Sequence, residues 1–157
     1  MKREHLIAIA AGGSAALLAG AFFFQALGWA PCQMCLWQRW PHAAAIVIGA
    51  LTLVAAPVQR ALCWLGAVAS ATTAGIGAYH SGVELKWWDG PSSCTGAGNG
   101  LSGLSGSALL PGASDVPALV MCDTLTPFFL GLTMANWNLI ASAGLAVVWV
   151  MAARKPA

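Results

Sequence analysis

Two thiols three residues apart carry the most reactive chemistry in this chain. They lie in Pro31-Cys32-Gln33-Met34-Cys35-Leu36-Trp37-Gln38-Arg39-Trp40, with a guanidinium four residues beyond the second. Cysteines at this spacing can close and open a local disulfide, and the thiolate is the reactive form. Both a helix N-terminus and a nearby cation favour that form. Cys35 and Arg39 stand at i and i+4, so they become neighbours once a helix has begun. The expected result is a stabilised thiolate facing an apolar phase, which suits a lipid-soluble electron acceptor. As a staple the pair is poor, since so short a loop removes little chain entropy. Zinc is disfavoured, because the chain has no second close-spaced cysteine pair. The plainer reading of Arg39 is an arginine that snorkels to the membrane surface.

Stepping outward from these residues, the chain has the composition of a membrane protein. Of 157 residues 59% are hydrophobic and 8% are charged, where soluble domains carry about 25% charge. The mean hydropathy is +0.74. Charge placement excludes a nucleic-acid partner, because no basic cluster exists, and there is no glycine-rich phosphate cradle. The expected architecture is an all-α membrane protein: one domain over 1-157, a four-helix transmembrane bundle. Helices are predicted at 6-27, 37-56, 61-80 and 128-153, with exterior loops at 28-36 and 81-127.

The first apolar run, Leu6 to Leu27, covers about 33 Å as a helix, enough for a bilayer core. It is read as an uncleaved helix rather than a signal peptide cut after Gly28-Trp29-Ala30. The second run, Ala43 to Ala56, covers only about 21 Å and must recruit Leu36 to His42 in order to cross. That requirement puts Gln38, Arg39 and His42 at the membrane lip, with Pro41 in or near the first turn. Small residues in the third run, among them Gly66, Ser70 and Thr73, suit close helix packing. In the loop, Val83 to Trp88 reads as a short interfacial helix, and Asn99 to Gly106 as a mobile run.

Lys2, Arg3, Arg60, Arg154 and Lys155 lie at the termini and the short turn, against Arg39 and Lys86 on the other side. This bias favours cytoplasmic termini. Trp29, Trp37, Trp40, Trp87, Trp88 and Trp137 then form an outer belt, with Trp64 and Trp149 in an inner one. Cys32, Cys35, Cys94 and Cys122 face the exterior, while Cys63 is a small buried apolar residue. Four cysteines allow three pairings. Cys32 with Cys35 suits the local dithiol, leaving Cys94 with Cys122. A structural bridge there would gain roughly 3.5 kcal/mol, whereas a bridge in an exposed loop is open to thiolate attack; both roles stand open. His42 and His80 fall at the outer interface, each either a polar lip residue or a contact to the electron acceptor. Asn136 and Asn138 are packing or hydrogen-bonding groups.

The ordered set resembles the bacterial inner-membrane disulfide-bond-formation protein B (DsbB) family. The resemblance runs through Cys32-x-x-Cys35 with Leu36 and Gln38-Arg39, His80 at the end of the third helix, and the pair Cys94 and Cys122. It ends in Phe129-Leu130-Gly131-Leu132-x-Met134-x-x-Trp137. It implies a multi-pass inner-membrane thiol oxidase with its active cysteines on the periplasmic side. On that pattern Cys94–Cys122 oxidises a periplasmic thioredoxin-fold dithiol oxidase of the DsbA type, through a mixed disulfide at Cys94. Electrons pass to Cys32–Cys35, and Cys35 delivers them to a bound quinone, ubiquinone or menaquinone. Arg39, His80 and His42 are then expected at the quinone. A vitamin K epoxide reductase-like protein is the nearest rival enzyme, but there the active dithiol comes late in the chain. A non-enzymatic four-span protein with structural disulfides is the rival of another class.

Overall fold

A computed structural model describes residues 1–91, 94, 120–125 and 127–156. The expected mobile run at Asn99 to Gly106 lies outside the described residues. Four helices carry the fold: α1 (Arg3–Ala26), α2 (Gln33–Val54), α3 (Gln59–Glu84) and α4 (Met134–Arg154). A 3-10 turn, Ala56–Val58, joins α2 to α3, and two short strands, β1 (Pro127–Phe129) and β2 (Leu132–Thr133), precede α4. Around the bundle, α3 packs on α2 and α4, and α1 packs on the same two helices, so α1 and α3 take opposite corners.

Three of these helices, α1, α3 and α4, are long and apolar enough to cross a membrane. Their outward faces are apolar where lipid would lie: Phe22, Phe23, Val68 and Val147 are all exposed. The polar start of α2 keeps that helix out of the group, although its 22 residues are about 33 Å long. It begins at Gln33, so Pro41 lies inside the helix rather than in its first turn. The proline removes one ladder hydrogen bond there, a loss that neighbouring helices in a bundle can accommodate.

Helix ends account for the other differences from expectation. α1 stops at a C-terminal lock in which Gly28 adopts φ 96, Trp29 N–H reaches Phe24 O (3.1 Å) and Gly28 N–H reaches Gln25 O (3.0 Å). Glycine enters the left-handed region without the Cβ clash that other residues meet. The same lock ends α3: Lys86 takes φ 60, with Trp87 N–H on Gly82 O (2.9 Å) and Lys86 N–H on Val83 O (3.1 Å). The separate interfacial helix expected over Val83 to Trp88 is therefore absent. Its first residues extend α3, and Trp88 folds back to stack on Tyr79 with ring centroids 6.1 Å apart.

α4 likewise starts later than expected, because Pro127 to Thr133 forms a hairpin. Pro127 pairs with Thr133 and Phe129 with Leu132, around a two-residue turn at Leu130 (φ 53) and Gly131 (φ 75). Positive φ at both turn residues is the twist a tight hairpin prefers. Phe128 then docks edge-on against Phe24 and Trp29, and Thr133 caps α4 by accepting from Asn136 N–H.

The core has two centres. At one end of the bundle Leu6, Ile7, Cys63, Ala67 and Trp149 pack together; at the other lie Cys32, Met34, Val83, Cys94 and Cys122. Trp149 is fully buried, not a member of an inner interfacial belt. Its ring fills the space over Gly66, where a Cβ would come within 2.6 Å of two ring atoms. Near this end Arg3 latches the termini, donating to Gln59 Oε1 (3.1 Å) and to the main-chain oxygens of Ala152 and Lys155.

The Trp149 seat generates a stability prediction. Gly66→Ala overpacks the α3–α4 contact and should destabilise the protein by about 1–3 kcal/mol, read as a lower thermal unfolding midpoint in detergent. Gly75→Ala is the control: nothing lies within 4 Å of its Cβ position, and helix propensity favours alanine by about 0.5–1 kcal/mol. Equal midpoints for the two variants would show that the ring does not need the glycine.

Candidate dithiol and disulfide centre

Cys32 is the N-cap of α2 rather than a residue within it. A cap residue lends a side-chain acceptor to free N–H groups of the first turn, and here sulfur does so. Cys32 Sγ accepts from Cys35 N–H at 3.3 Å, and the two sulfurs are 3.0 Å apart. Two sulfurs on one tetrahedral zinc, with bonds of about 2.3 Å, would stand about 3.8 Å apart. The observed spacing suits a dithiol that closes to a disulfide.

Three elements converge on this sulfur. From α3, His80 brings Nε2 to 3.6 Å. From the loop, Cys94 and Cys122 form a disulfide with Cα atoms 5.2 Å apart. The sulfurs of Cys32, Cys94 and Cys122 all lie within 4.8 Å of one another. The two ends of the loop segment are tied together: Cys122 N–H donates to Cys94 O (2.7 Å), and Lys86 Nζ pairs with Asp123 at 2.5 Å. The ammonium holds the Asp123 carboxyl below its usual range, although so exposed a pair adds at most about 1 kcal/mol.

Electrostatics single out Cys32 as the thiolate. Its pKa is pushed down to about 4, chiefly because the Cys35 thiol donates to it, with His80 adding to the effect and burial opposing it. The i and i+4 spacing of Cys35 and Arg39 predicts the thiolate at Cys35, beside the guanidinium. Instead the Arg39 guanidinium turns to α1, donating to Gln25 Oε1 (2.6 Å) and Ala21 O (3.4 Å) and lying 4.7 Å from the Phe22 ring centroid. The hydrogen bonds at the cap, not the guanidinium, therefore stabilise the charge. Arg39 Nε stays buried without a hydrogen-bond partner.

His80 sits in the thiol cluster, whereas His42 lies in a separate contact. His42 Nε2 meets Asn138 Oδ1 at 2.9 Å, and its Nδ1 is buried without a partner. Further polar groups surround the cluster. Gln38 Nε2 meets His80 Nδ1 at 3.0 Å; Glu84 Oε1 lies 3.8 Å from His80 Nε2, and Glu84 Oε2 accepts from Thr133 at 2.6 Å. One signal for Glu84 was present, since it follows His80 by one helical turn. A second was Pro31 before Cys32, a chain breaker that marks the cap position.

The lowered thiol gives a direct test. With both cysteines reduced, alkylation of Cys32 should stay constant from pH 8 down to 6 and decline only as the pH falls through about 4. A thiol of depressed pKa keeps its charge above that value and loses it below. Mass spectrometry of the Cys32 peptide reads the profile, and a midpoint at 8 to 9 would remove the thiolate assignment.

Comparison with known proteins gives one answer. The model of the family "Disulfide bond formation protein DsbB" matches residues 3–152. A disulfide bond formation protein B of Xanthomonas oryzae pv. oryzae is 35% identical over 149 residues, covering 88% of this chain and 83% of that protein. One from Xanthomonas axonopodis pv. citri is 34% identical over 147 residues, with 87% and 81% covered. One from a Polaromonas species is 27% identical over 154 residues, with 94% and 88% covered. No solved structure matches the chain significantly. With the family model spanning nearly the whole of a helical bundle built around these cysteines, the chain belongs to the DsbB family of membrane disulfide bond formation proteins.

Proposed function

We propose that this protein is a four-span thiol oxidase of a bacterial inner membrane. It reoxidises a periplasmic thioredoxin-fold dithiol protein of the DsbA type and passes the electrons to a membrane quinone. The observation that carries the reading is the position of Cys32 Sγ, within 4.8 Å of both sulfurs of the Cys94–Cys122 disulfide. A sulfur so placed can exchange with that disulfide without long chain movement.

A thiolate of the partner attacks Cys94 Sγ, breaking the Cys94–Cys122 bond and releasing Cys122 as a thiolate. The partner's second thiol resolves the mixed disulfide, so the partner leaves oxidised and Cys94 and Cys122 are reduced. Cys122 then attacks Cys32 in a Cys32–Cys35 disulfide, and Cys35 leaves. Attack by Cys94 on Cys122 restores the loop disulfide and releases Cys32. Two electrons and two protons have then moved from the partner to Cys32 and Cys35. A thiolate at Cys32 favours this direction, because stabilising the reduced form makes a disulfide a stronger oxidant.

A quinone, when bound, supplies a sink for two electrons and two protons. Arg39 is the residue best suited to hold one: its buried Nε–H lacks an acceptor, at the α1–α2 seam beside Phe22. An aromatic wall and a free donor fit a quinone carbonyl. His42, with its buried Nδ1 also unpartnered, is a second candidate. His80 contributes from the thiol side, since its ring nitrogens face Cys32 and Gln38.

Two experiments test this reading. Cys122→Ser should trap a disulfide-linked complex with the partner through Cys94; a complex through Cys32 instead would reverse the relay order. Purified protein given the reduced partner and a quinone should form one quinol per partner disulfide. In that assay Arg39→His should lower turnover about 10- to 100-fold, the loss of a charged hydrogen bond, and unchanged turnover would remove Arg39 from the quinone site.

A further inference from the structure

A chain of side-chain hydrogen bonds runs through the bundle between α2, α3 and α4 and ends at the Cys32 sulfur. Its direction is set by two main-chain carbonyls, which can only accept. Thr73 Oγ1 donates to Gln38 O at 3.2 Å. Asn138 Nδ2 lies 3.2 Å from Thr73 Oγ1 and 3.4 Å from Thr73 O. An amide oxygen in that place would face a carbonyl oxygen and a hydroxyl whose proton is already used. The nitrogen must therefore occupy it.

Asn138 Nδ2 also donates to Gln38 Oε1 at 2.6 Å, while Asn138 Oδ1 accepts from His42 Nε2 (2.9 Å) and Ser142 Oγ (3.3 Å). With its oxygen engaged, Gln38 turns its amide nitrogen to His80 Nδ1, 3.0 Å away. That ring nitrogen must present a lone pair, and the ring proton sits on Nε2. Nε2 faces Cys32 Sγ at 3.6 Å, with Glu84 Oε1 at 3.8 Å.

We propose that Asn138 and Gln38 are positioning residues that hold His80 as its Nε2–H tautomer, so that the imidazole donates to the Cys32 sulfur whenever it carries charge. The functional meaning of this device rests on the reading of Cys32–Cys35 as an exchanging pair; the tautomer itself does not. In the relay Cys32 leaves as a thiolate when the loop disulfide reforms, and a donor fixed at 3.6 Å is in place for that charge. Without the amide pair the ring could place its proton on Nδ1 and turn a lone pair toward the sulfur, which would repel it. The titratable groups facing Cys32 are Cys35 from α2 and His80 and Glu84 from α3. The loop cysteines face it as a disulfide, and the hairpin brings uncharged Thr133, which holds Glu84.

The test reads the tautomer and the thiol directly, with neither partner nor quinone. Full-length protein carrying 15N-labelled histidine, purified in detergent, should report for His80 a protonated Nε2 and an unprotonated Nδ1. A protonated Nδ1 on a neutral ring would overturn the proposal whatever the variants do. Gln38→Leu removes the donor to Nδ1, and the alkylation midpoint of Cys32 should rise by about one pH unit, the usual effect of losing one hydrogen bond to a charged form. Gln38→Glu accepts from Nδ1 and should give a doubly protonated His80, with the midpoint unchanged or lower. A merely structural role for Gln38 predicts that the two substitutions disturb Cys32 alike, and that result would also overturn the assignment. Failure of quinone reduction with the tautomer intact would instead count against the proposed function alone.

Discussion

Burying a thiolate is unfavourable unless hydrogen-bond donors replace the water it loses. At Cys32 the replacements come from three directions: the Cys35 main-chain N–H, the Cys35 thiol and the His80 imidazole. Each donor depends on a different piece of the fold. The N–H is there because α2 begins at Gln33, the thiol because the two cysteines are separated by most of one helical turn, and the imidazole because α3 runs on past His80 to Glu84. The position of one sulfur thus constrains the start of one helix and the end of another.

The bundle supplies that constraint through close packing at its far end. Trp149 over Gly66 brings α3 against α4, and the Arg3 latch joins α1 to the end of α4 and to Gln59 at the start of α3. With α3 and α4 held there, Asn138 meets Thr73 and Gln38 further along the same faces. Polar side chains inside an apolar bundle must find partners within it, because neither lipid nor core offers any. Gln38, Thr73, His80, Asn138 and His42 Nε2 hydrogen-bond to one another, and in doing so they fix the rotation of three helices about their axes. The same contacts also aim the imidazole.

At the thiol end the arrangement joins a mobile kind of chemistry to a fixed support. The loop disulfide lies against Cys32, close enough for exchange, while Asp123 beside it is tied to Lys86 in the turn that ends α3. Arg39 is held apart from this cluster, on the seam with α1. In the proposed function this separation keeps the exchange among sulfurs apart from the quinone.

Much of this was legible in the residues alone. Long apolar runs made four helices, the Cys32-x-x-Cys35 spacing marked a dithiol, and Cys94 and Cys122 remained as its counterpart. These features depend on neighbours within a few residues, so the sequence carries them locally. The later start of α4 and the extension of α3 were not legible, since a tight hairpin turn at Leu130 and a left-handed Lys86 need residues that seldom adopt positive φ. Nor was the burial of Trp149, because its seat is a glycine on another helix. The choice of Cys32 over Cys35 as thiolate, and of α1 over the thiols as the partner of Arg39, rested on contacts such as Cys32 with His80 and Arg39 with Gln25. Spacing can say which residues share a helix face; only the packed bundle decides which groups from distant parts of the chain stand opposite that face, and those groups set the charge on the sulfur.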